Sequence, residues 1–435
     1  MDASIYSGRR ARLAAQMKRG VAVIPTAPER ARNRDAHYPY RFDSYFYYLT
    51  GFTEPGAVLV VIAGAQPRSI LFCRAKDEER EIWDGFRYGP EAARETFGFD
   101  EAHDVASLDE RMPDLLADEP AVHCHLGADA AWDARIVGWL NDVRGRARSG
   151  VVAPPTISDV HVLLDEMRLF KDAAEVALMR RAAEISCAAH RRAMHAARPG
   201  VGEFVIEAEL LHEFRRNGAQ APAYTSIVAS GAHACVLHYV ENSGVLRDGD
   251  LLLIDAGCEL DGYASDITRT FPVNGSFGGA QRDVYELVLA AQSAAIAQVK
   301  PGSAWIAPHE AAVKVLAQGF VDLKLLTGSV EEVLETESYR KFYMHRTGHW
   351  LGLDVHDAGD YKRDGEWREL APGMVLTVEP GCYIRPGADV PPQFAGIGIR
   401  IEDDALVTAD GCEILTAAAP KAISEIEGLM RPGDD

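Results

Sequence analysis

The first 150 residues alternate short apolar or β-branched runs with segments whose apolar positions recur every three or four residues. The runs have the length of strands, and the recurring positions are typical of one face of a helix. The predicted strands are 21–25, 57–63 and 69–74, and the predicted helices are 91–97, 108–116 and 132–143. This alternation predicts an α/β domain over residues 1–152. A proline pair followed by helix-capping residues predicts a linker at 153–159.

After residue 160 the pattern changes, and longer helical segments predominate. Predicted helices at 173–197 and 203–216 are separated by a Pro-Gly pair and followed by the apolar strand LLLIDAG. A second pair, at 283–299 and 308–318, is also separated by Pro-Gly and is followed by MVLTVEPG. This repeated order indicates an internal duplication. If a pseudo-two-fold axis relates the halves, Asp255 and Glu379 stand at equivalent strand ends, and a site at the junction takes residues from both.

Composition and charge narrow the functional classes. The chain of 435 residues has 45 basic and 65 acidic residues, for a formal net charge of −20. This excess of negative charge argues against nucleic acid or an anionic membrane surface as the main partner. The apolar runs are too short to span a bilayer, and the amino terminus lacks the apolar segment of a signal peptide. The seven cysteines are scattered, as is usual in a reducing compartment, so we expect a cytoplasmic protein.

Two aspartates flank a turn signal near the first of these strands. Asp255 ends the apolar run, Asp266 lies in the next segment, and Asp261-Gly262 stands between them. A hairpin turning at 260–261 places the two carboxylates directly opposite, and one turning at 261–262 places them diagonally on the same face. Two carboxylates about 5 Å apart repel unless a cation lies between them. The alternative is that one belongs to the turn and the other pairs with Arg269.

Three histidines, His345, His349 and His356, lie in the glycine-rich stretch MHRTGHWLGLDVHD. The first two are spaced as in the H-E-x-x-H helix of zinc proteases, but no glutamate follows His345. The glycines also favour strand and loop over helix. We therefore predict one imidazole as a metal ligand, with the other two as nearby acids or bases.

Two glutamates also end strand-like segments. Glu379 lies in TVEPG, before a Pro-Gly turn, and Glu402 lies in GIGIRIEDD, out of phase with the isoleucines. A solvated face explains a glutamate poorly in such apolar surroundings. Arg400 shares the face of Glu402 and is predicted to pair with a carboxylate or to meet a substrate carbonyl or carboxylate. Asp403 and Asp404 are predicted to face solvent or to belong to a turn.

Together these segments offer four carboxylates and one imidazole, from Asp255, Asp266, His349, Glu379 and Glu402. This oxygen-rich set favours Mn(II), with Co(II), Fe(II) or Zn(II) as alternatives, over a thiolate type of zinc site. Two such ions about 3.5–4 Å apart can deprotonate a shared water molecule and polarise a scissile carbonyl. The sequence therefore predicts a two-metal hydrolytic site.

These segments resemble the pita-bread metallopeptidases of family M24, which include methionine aminopeptidase, prolidase and aminopeptidase P. The resemblance lies in LLLIDAGCELDGYASDITRTFPVNG, HWLGLDVHD, GMVLTVEPGCYI and GIGIRIEDD, and extends to DAHYPYRFDSYFYYLTGFTEPGAVLVV and EMRLFKDAAEVALMRRAAEI. The large amino-terminal domain makes the chain most similar to the Xaa-Pro aminopeptidases. The resemblance implies an α/β amino-terminal domain and, over 160–435, an α+β pita-bread catalytic domain with an internal pseudo-two-fold duplication.

The resemblance implies removal of the first residue from peptides with proline second, by a hydroxide held between two metal ions. Asp255 is similar to the chelating ligand of one ion, and Asp266 and Glu402 are similar to bridging carboxylates. His349 and Glu379 are similar to ligands of the second ion. Glu379 would also carry the proton of the attacking water to the proline nitrogen.

The resemblance also implies substrate contacts. His238, in LHYVEN, and His356 would hydrogen-bond the substrate carbonyl and the tetrahedral oxyanion that develops from it. His345, Tyr383 and Arg400 would form the wall of the pocket for proline.

Further implied contacts lie at the mouth of the site. Tyr224 would belong to the pocket for the first side chain. The resemblance implies a homodimer or homotetramer in which a neighbour's amino-terminal domain reaches the mouth, and Asp35 and Trp83 match the positions that do this. The alternative for Trp83 is an ordinary core tryptophan. Arg346 stands where relatives often carry glycine, and Asp84 where they often carry an apolar residue.

Two other functions compete with this interpretation. Prolidases cleave Xaa-Pro dipeptides with the same five ligands, and Arg400 suits a dipeptide carboxylate. The amino-terminal segments and Trp83 favour the aminopeptidase. A metal-free binding protein or a creatinase-type enzyme of the same fold is disfavoured, because such proteins have lost ligands that all stand in this chain.

Overall fold

The computed structural model describes residues 1–387 and 389–431. It divides into two compact units between Met167 and Arg168. In the described residues, no helix combines the length and the apolar character that crossing a bilayer demands.

The first unit contains eight strands and seven helices in its described residues, the last helix running across the division. The strands are β1 Gly20–Pro25, β2 Ala31–Asn33, β3 Ala36–His37, β4 Val58–Ala63, β5 Arg68–Cys73, β6 Glu101–Asp104, β7 Ala121–Cys124 and β8 Thr156–Asp159. The helices are α1 Ala3–Met17, α2 Ser44–Thr50, α3 Glu78–Asp84, α4 Gly89–Phe97, α5 Leu108–Leu116, α6 Ala130–Gly145 and α7 His161–Leu169.

Six of these strands form one mixed sheet in the order β6-β5-β4-β1-β7-β8. The central strands β1 and β4 pair antiparallel, and β1 pairs in parallel with β7. Both central strands are buried along nearly their whole length, as expected for β-branched runs covered on two faces. The predicted α/β domain is confirmed, with the predicted strands at β1, β4 and β5 and the predicted helices at α4, α5 and α6.

The segment predicted as a linker, 153–159, contains the edge strand β8. This strand pairs in parallel with β7, from Thr156 opposite Ala121 to Asp159 opposite Cys124. The division between units falls later, after Met167. Proline pairs mark a break in local structure, but the partner of a parallel strand comes from far away in the chain and leaves no local signal.

The second unit contains thirteen strands and six further helices in its described residues. The strands are β9 Ala221–Pro222, β10 Ile227–Ser230, β11 Leu251–Asp255, β12 Cys258–Leu260, β13 Tyr263–Ala264, β14 Thr268–Pro272, β15 Lys362–Arg363, β16 Glu366–Trp367, β17 Val375–Val378, β18 Gly381–Tyr383, β19 Gly398–Arg400, β20 Asp403–Val407 and β21 Cys412–Ile414. The helices are α8 Ala173–Ala196, α9 Glu203–Arg216, α10 Gly279–Ile296, α11 Ala307–Asp322, α12 Val330–Glu335 and α13 Ile423–Met430.

The predicted repeat is visible in the order of these elements. The helices α8 and α9 pack together and are followed by the antiparallel sheet β10-β11-β14, and α10 and α11 pack together and are followed by β17-β20-β21. One large apolar core joins the two halves, with members such as Phe214 on α9, Leu252 on β11, Val288 on α10 and Val378 on β17. Strand ends from both halves are thereby fixed to a common core.

Candidate functional site

Asp255 and Asp266 lie on a hairpin whose turn is Asp261-Gly262. In this hairpin β11 pairs with β14, so that Asp255 lies opposite Thr268, and β12 pairs with β13 next to the turn. Both turn residues have positive φ, 48° and 84°, as a two-residue hairpin turn of type I′ requires. Of the two predicted registers, the structure therefore has the one that places the two carboxylates diagonally on the same face.

The two hairpin segments approach most closely at Gly257. A Cβ at this position would lie 1.6 Å from the carbonyl oxygen of Ser265, so only glycine fits. Beside this close approach, the hydroxyl of Tyr224 contacts Oδ1 of both Asp255 and Asp266. One hydroxyl carries one proton and can donate to only one of these oxygens, so the other requires a proton or a cation.

His349 and Glu379 enter the site from the second half. The backbone N–H of His349 donates to Oγ1 of Thr377 at 3.1 Å, and the N–H of Thr377 donates to the carbonyl of His349 at 3.0 Å. Glu379 directly follows β17, and its N–H donates to the carbonyl of Thr347 at 2.8 Å. Nε2 of His349 lies 3.4 Å from Oδ2 of Asp266 and 3.6 Å from Oε1 of Glu379.

Glu402 completes the group from the connection between β19 and β20. It is 2% exposed, and its Oε2 accepts a hydrogen bond from the hydroxyl of Thr268 at 2.6 Å. One donor atom from each of Asp266, His349 and Glu402 lies within 4.8 Å of the others. With Asp255 joined through Tyr224, the five predicted donors therefore come together.

Asp403 and Asp404 are buried, and the prediction that they face solvent or belong to a turn is wrong. They lie in strand β20 and are 0% and 1% exposed. Asp403 pairs with Arg269 at 2.7 Å and with Lys421 at 2.6 Å, and Asp404 accepts from the N–H of Asp266 at 3.2 Å. The ion pair of Arg269 is thus formed with Asp403 and not with Asp266.

The buried carboxylates create an environment that favours added positive charge. Burial and the charges of neighbouring carboxylates raise the pKa of Glu402 well above its usual range, and burial raises the pKa of Glu379 to about 7. Burial by itself would lower the pKa of His349, but the hydrogen bond to Asp266 and the charge of Glu379 raise it to about 9. In the metal-free protein, the positive charge of protonated His349 therefore offsets part of the negative charge of the surrounding carboxylates.

The donor set fits divalent metal ions. Arg400 pairs with Asp255 at 2.6 Å and supplies one fixed positive charge against four clustered carboxylates. Carboxylate oxygens with one imidazole match the preferences of Mn(II), Fe(II), Co(II) and Zn(II). An ion at this place would also satisfy the second aspartate oxygen beside Tyr224.

A chain of hydrogen bonds at one wall of the site joins Arg400, Tyr383 and His345. Arg400 Nη1 donates to the Tyr383 hydroxyl at 3.0 Å, and that hydroxyl donates to Nε2 of His345 at 2.8 Å. Nδ1–H of His345 then donates to the carbonyl of Arg346 at 2.7 Å, a tautomer assigned from these bonds. Burial and the charge of Arg400 lower the pKa of His345 to about 3, so the ring is neutral at pH 7. Tyr383 is 0% exposed and lies behind the wall instead of forming it.

The five donors line a cavity of about 910 Å³. His238, His356 and Tyr224 line the same cavity, as do His345 and Arg400, and apolar side chains complete it: Ile227, Leu237, Val240 and Val355. The His356 ring stands edge-on to His349, with 4.3 Å between ring centroids. Burial and the charge of His349 lower the pKa of His356. The cavity is therefore lined both by the polar groups of the candidate site and by an apolar wall.

Trp83 and Asp35 lie in the first unit, on its surface. Trp83 belongs to α3 and is 80% exposed, beside Ile82 and Phe86, which are also largely exposed. The alternative that Trp83 is a core residue is therefore wrong. Asp35 lies in the exposed turn between β2 and β3.

A second group of metal-type donors, His125, Asp159 and His161, lies in the first unit. Asp159 lies 3.2 Å from Nδ1 of His125, and the two imidazoles stack with centroids 3.9 Å apart and 16° between their planes. Imidazole lone pairs lie in the ring plane, so two stacked rings do not direct them at one ion. We assign no metal to this arrangement.

Two buried threonines were not predicted as site residues. The Thr268 hydroxyl donates to Glu402 and accepts from Nε of Arg400 at 3.0 Å, and the Thr377 hydroxyl lies 3.4 Å from Oε1 of Glu379. A signal was present, because Thr268 and Thr377 stand two residues from Asp266 and Glu379. The two-residue period of a strand places such pairs on one face.

The sequence matches two protein-family models and proteins of known activity. The model described as metallopeptidase family M24 matches residues 177–409, and the model described as aminopeptidase P, N-terminal domain, matches residues 6–123. The Xaa-Pro aminopeptidase of Escherichia coli (strain K12) is 47% identical over 428 residues, which cover 98% of this chain and 97% of that protein.

Solved structures are similar over nearly the whole chain. The aminopeptidase PepP of Pseudomonas aeruginosa superposes with a TM-score of 0.97 at 51% identity, covering 99% of this chain and 98% of that one. A zinc-substituted aminopeptidase P of E. coli in complex with product gives a TM-score of 0.97 at 46% identity, with the same coverage of 99% and 98%.

Proposed function

Because this chain belongs to metallopeptidase family M24, we propose that it removes the first residue from peptides whose second residue is proline. The observation that carries the proposal is one cavity in which five metal-type donors face a partly apolar wall. Xaa-Pro aminopeptidases that are 47% and 45% identical over 98% of the chain support the substrate class. The substrates would be peptides with a free amino terminus.

The proposed cofactor is a pair of divalent ions per subunit, with Mn(II) favoured by the oxygen-rich donors and Co(II), Fe(II) or Zn(II) as alternatives. Asp255, Asp266, His349, Glu379 and Glu402 would hold the ions. When bound, such ions polarise a carbonyl and lower the pKa of a water molecule. This chemistry requires no side-chain nucleophile.

Glu379 is the proposed proton carrier. It directly follows β17, and burial raises its pKa to about 7 in the metal-free protein. A carboxylate that lies beside the attacking water can accept one of its protons and pass it on. The proline nitrogen in a peptide carries no hydrogen and must gain one as it leaves. Glu379 would take a proton from the attacking water and deliver it to that nitrogen.

His356 and His238 are the proposed donors to the substrate carbonyl oxygen. Both line the cavity, and the His356 ring lies against His349. The lowered pKa of His356 keeps that ring neutral, with one N–H available for donation. Fixed donors at an oxygen that gains negative charge stabilise the transition state more than the ground state.

The prolidase alternative requires Arg400 to bind the carboxylate of a dipeptide. Nε, Nη1 and Nη2 of Arg400 already donate to Thr268, Tyr383 and Asp255, and the residue is 4% exposed. Turning Arg400 towards a dipeptide carboxylate would break its hydrogen bonds to Thr268, Tyr383 and Asp255. The aminopeptidase function is therefore favoured.

We expect the Mn(II)-supplemented protein to release the first residue from Xaa-Pro-Xaa tripeptides faster than it cleaves Xaa-Pro dipeptides. The products are identified by mass spectrometry, and Xaa-Ala-Xaa tripeptides serve as the control for proline specificity. Activity confined to dipeptides would establish a prolidase instead. If the metal-loaded protein cleaves neither the tripeptide nor the dipeptide, the proposal is rejected.

A homodimer or homotetramer is proposed, with Trp83 and Asp35 of one subunit at the mouth of another. Ile82, Trp83 and Phe86 are 81%, 80% and 66% exposed, and such clustered apolar side chains are typical of interfaces. We expect Trp83→Ser to lower the oligomeric mass measured by light scattering at micromolar concentration. Val137→Ser, at another exposed apolar position of the first unit, is the control. An unchanged mass for Trp83→Ser would place the interface elsewhere.

A reducing compartment, the cytoplasm, is the proposed location. All seven cysteines are free thiols, and six of them are buried. Disulfides are common in secreted proteins and rare in the reducing cytosol.

A further inference from the structure

The position of His238 is set by the segment that carries it. Residues 230–244 lead from the end of β10 towards β11, and His238 lies exposed in the cavity near the middle of this segment. Within residues 1–387 and 389–431, its ring makes no hydrogen bond. The direction of the ring therefore depends on how the surrounding backbone is held.

The carboxylate of Glu203 holds both ends and the middle of this segment. Glu203 is the first residue of α9 and is 0% exposed. Its Oε1 accepts from the N–H of Ser230 at 2.8 Å, the hydroxyl of Ser230 at 2.7 Å and Nδ1 of His233 at 3.0 Å. Its Oε2 accepts from the hydroxyl of Tyr239 at 2.9 Å and the N–H of Gly244 at 2.7 Å. One side chain thus closes the segment into a loop.

Tyr239 transmits this anchoring to its neighbour His238. Tyr239 is 8% exposed, and its ring stacks on His233 with 4.4 Å between centroids and 24° between planes. Both stacked rings bind the same carboxylate. Because Tyr239 is fixed at its ring and at its hydroxyl, the backbone on which His238 stands has little freedom.

Only a carboxylate can make all of these bonds. Burial would raise the pKa of Glu203, but the hydrogen bonds from Ser230, His233 and Gly244 outweigh it and lower the pKa. An amide of the same shape has one oxygen and an NH₂ group, which would face donors on one side. The fit is also close, because a Cβ at Gly244 would lie 2.8 Å from Oε1 of Glu203.

We propose that Glu203 is a positioning residue for His238, and that its carboxylate fixes the 230–244 segment so that His238 reaches the substrate carbonyl. The inference rests on the proposed function, in which His238 donates to that carbonyl. Glu203 itself is not among the residues that line the cavity.

The test is a double-mutant cycle of Glu203→Gln and His238→Ala, with kcat and KM measured on an Xaa-Pro-Xaa tripeptide. A displacement of about 1 Å in a group at the reacting atoms can cost on the order of a hundredfold in rate. We therefore expect Glu203→Gln to lower kcat/KM roughly tenfold to a hundredfold, mainly through kcat. In the His238→Ala background, the same change should lower it less than about twofold. Metal content should stay that of the wild type.

The matched control is Glu209→Gln on the same helix. It removes a partly exposed ion pair with Arg192 and should leave kcat/KM unchanged. If Glu203→Gln does not fold, Tyr239→Phe removes one donor from the carboxylate and takes its place in the cycle, with an expected loss of severalfold.

Three results would overturn the inference: equal losses with and without His238, wild-type activity of Glu203→Gln, or wild-type activity of His238→Ala. The first would show that Glu203 supports the fold as a whole. Failure of the proposed function is distinguishable, because the wild-type protein would then release no first residue from the tripeptide.

Discussion

Replacing Glu379 by glutamine is expected to lower kcat on Xaa-Pro-Xaa tripeptides by roughly 10²–10⁴-fold, the usual contribution of a general acid–base. Glutamine preserves the shape of the side chain at the end of β17 but can neither accept the proton of water nor deliver one to the proline nitrogen. The variant should fold normally. Steady-state kinetics with Mn(II), together with metal analysis of the purified variant, measures the effect.

The matched control is Glu366→Gln in the exposed hairpin strand β16, which should behave as the wild type. Metal content separates catalysis from metal binding: a variant that keeps the metal content of the wild type but loses turnover has lost the proton carrier and not the ions. Near-native turnover of Glu379→Gln would remove the proton-carrying role.

Removing the metal is expected to abolish hydrolysis and to make thermal stability fall as the pH rises. The pKa of Glu379 is raised from 4.5 to about 7 in the folded protein, so the folded state binds more protons than the unfolded state between these values, and stability declines across that window. The pKa of His349 is raised from 6.5 to about 9, so its stabilising protonation is complete below pH 6.5 and is lost as the pH rises through 9.

Divalent ions would compete with these protons for Glu379 and His349. Because fewer protons are bound at pH 8 than at pH 5.5, the gain in Tm on adding Mn(II) should be larger at pH 8. At a hundredfold excess over Kd the gain is about 2.7 kcal/mol per site, or roughly 5–10 °C for a unit of this size. Differential scanning fluorimetry of chelator-treated protein measures it, with Glu366→Gln as the control. A gain that is equal at both pH values, or absent, would contradict the assigned site.

Local patterns predicted much of the second unit and most of the donor set. The helix Glu203–Arg216 agrees with its predicted bounds. Asp255 was found because a charged residue at the end of an apolar strand has few structural explanations. The type I′ turn at Asp261-Gly262 then fixed Asp266 on the same face. Both signals are local, since they depend on strand period and turn chemistry.

What the sequence did not reveal depends on partners distant in the chain. Asp403 was predicted to face solvent because its neighbours gave no hint of Arg269 or Lys421, which pair with it in the core. Strand β8 was predicted as linker because its pairing partner β7 lies far away in sequence. Glu203 was missed for the same reason, since helix periodicity shows a buried position but not the five donors that converge on it.

The division of the donors between two halves has a consequence for how the protein acquires its metal. During synthesis, Asp255 and Asp266 emerge first, and α10, α11 and α12 follow before any of the other three donors. The pair of ions proposed for this site would therefore be fully coordinated only after the second half has docked on the first. Small zinc modules, by contrast, depend on their ion for folding itself. If the proposed ions bind after the two halves have docked, a cell starved of metal would accumulate folded apoprotein in place of an unfolded chain.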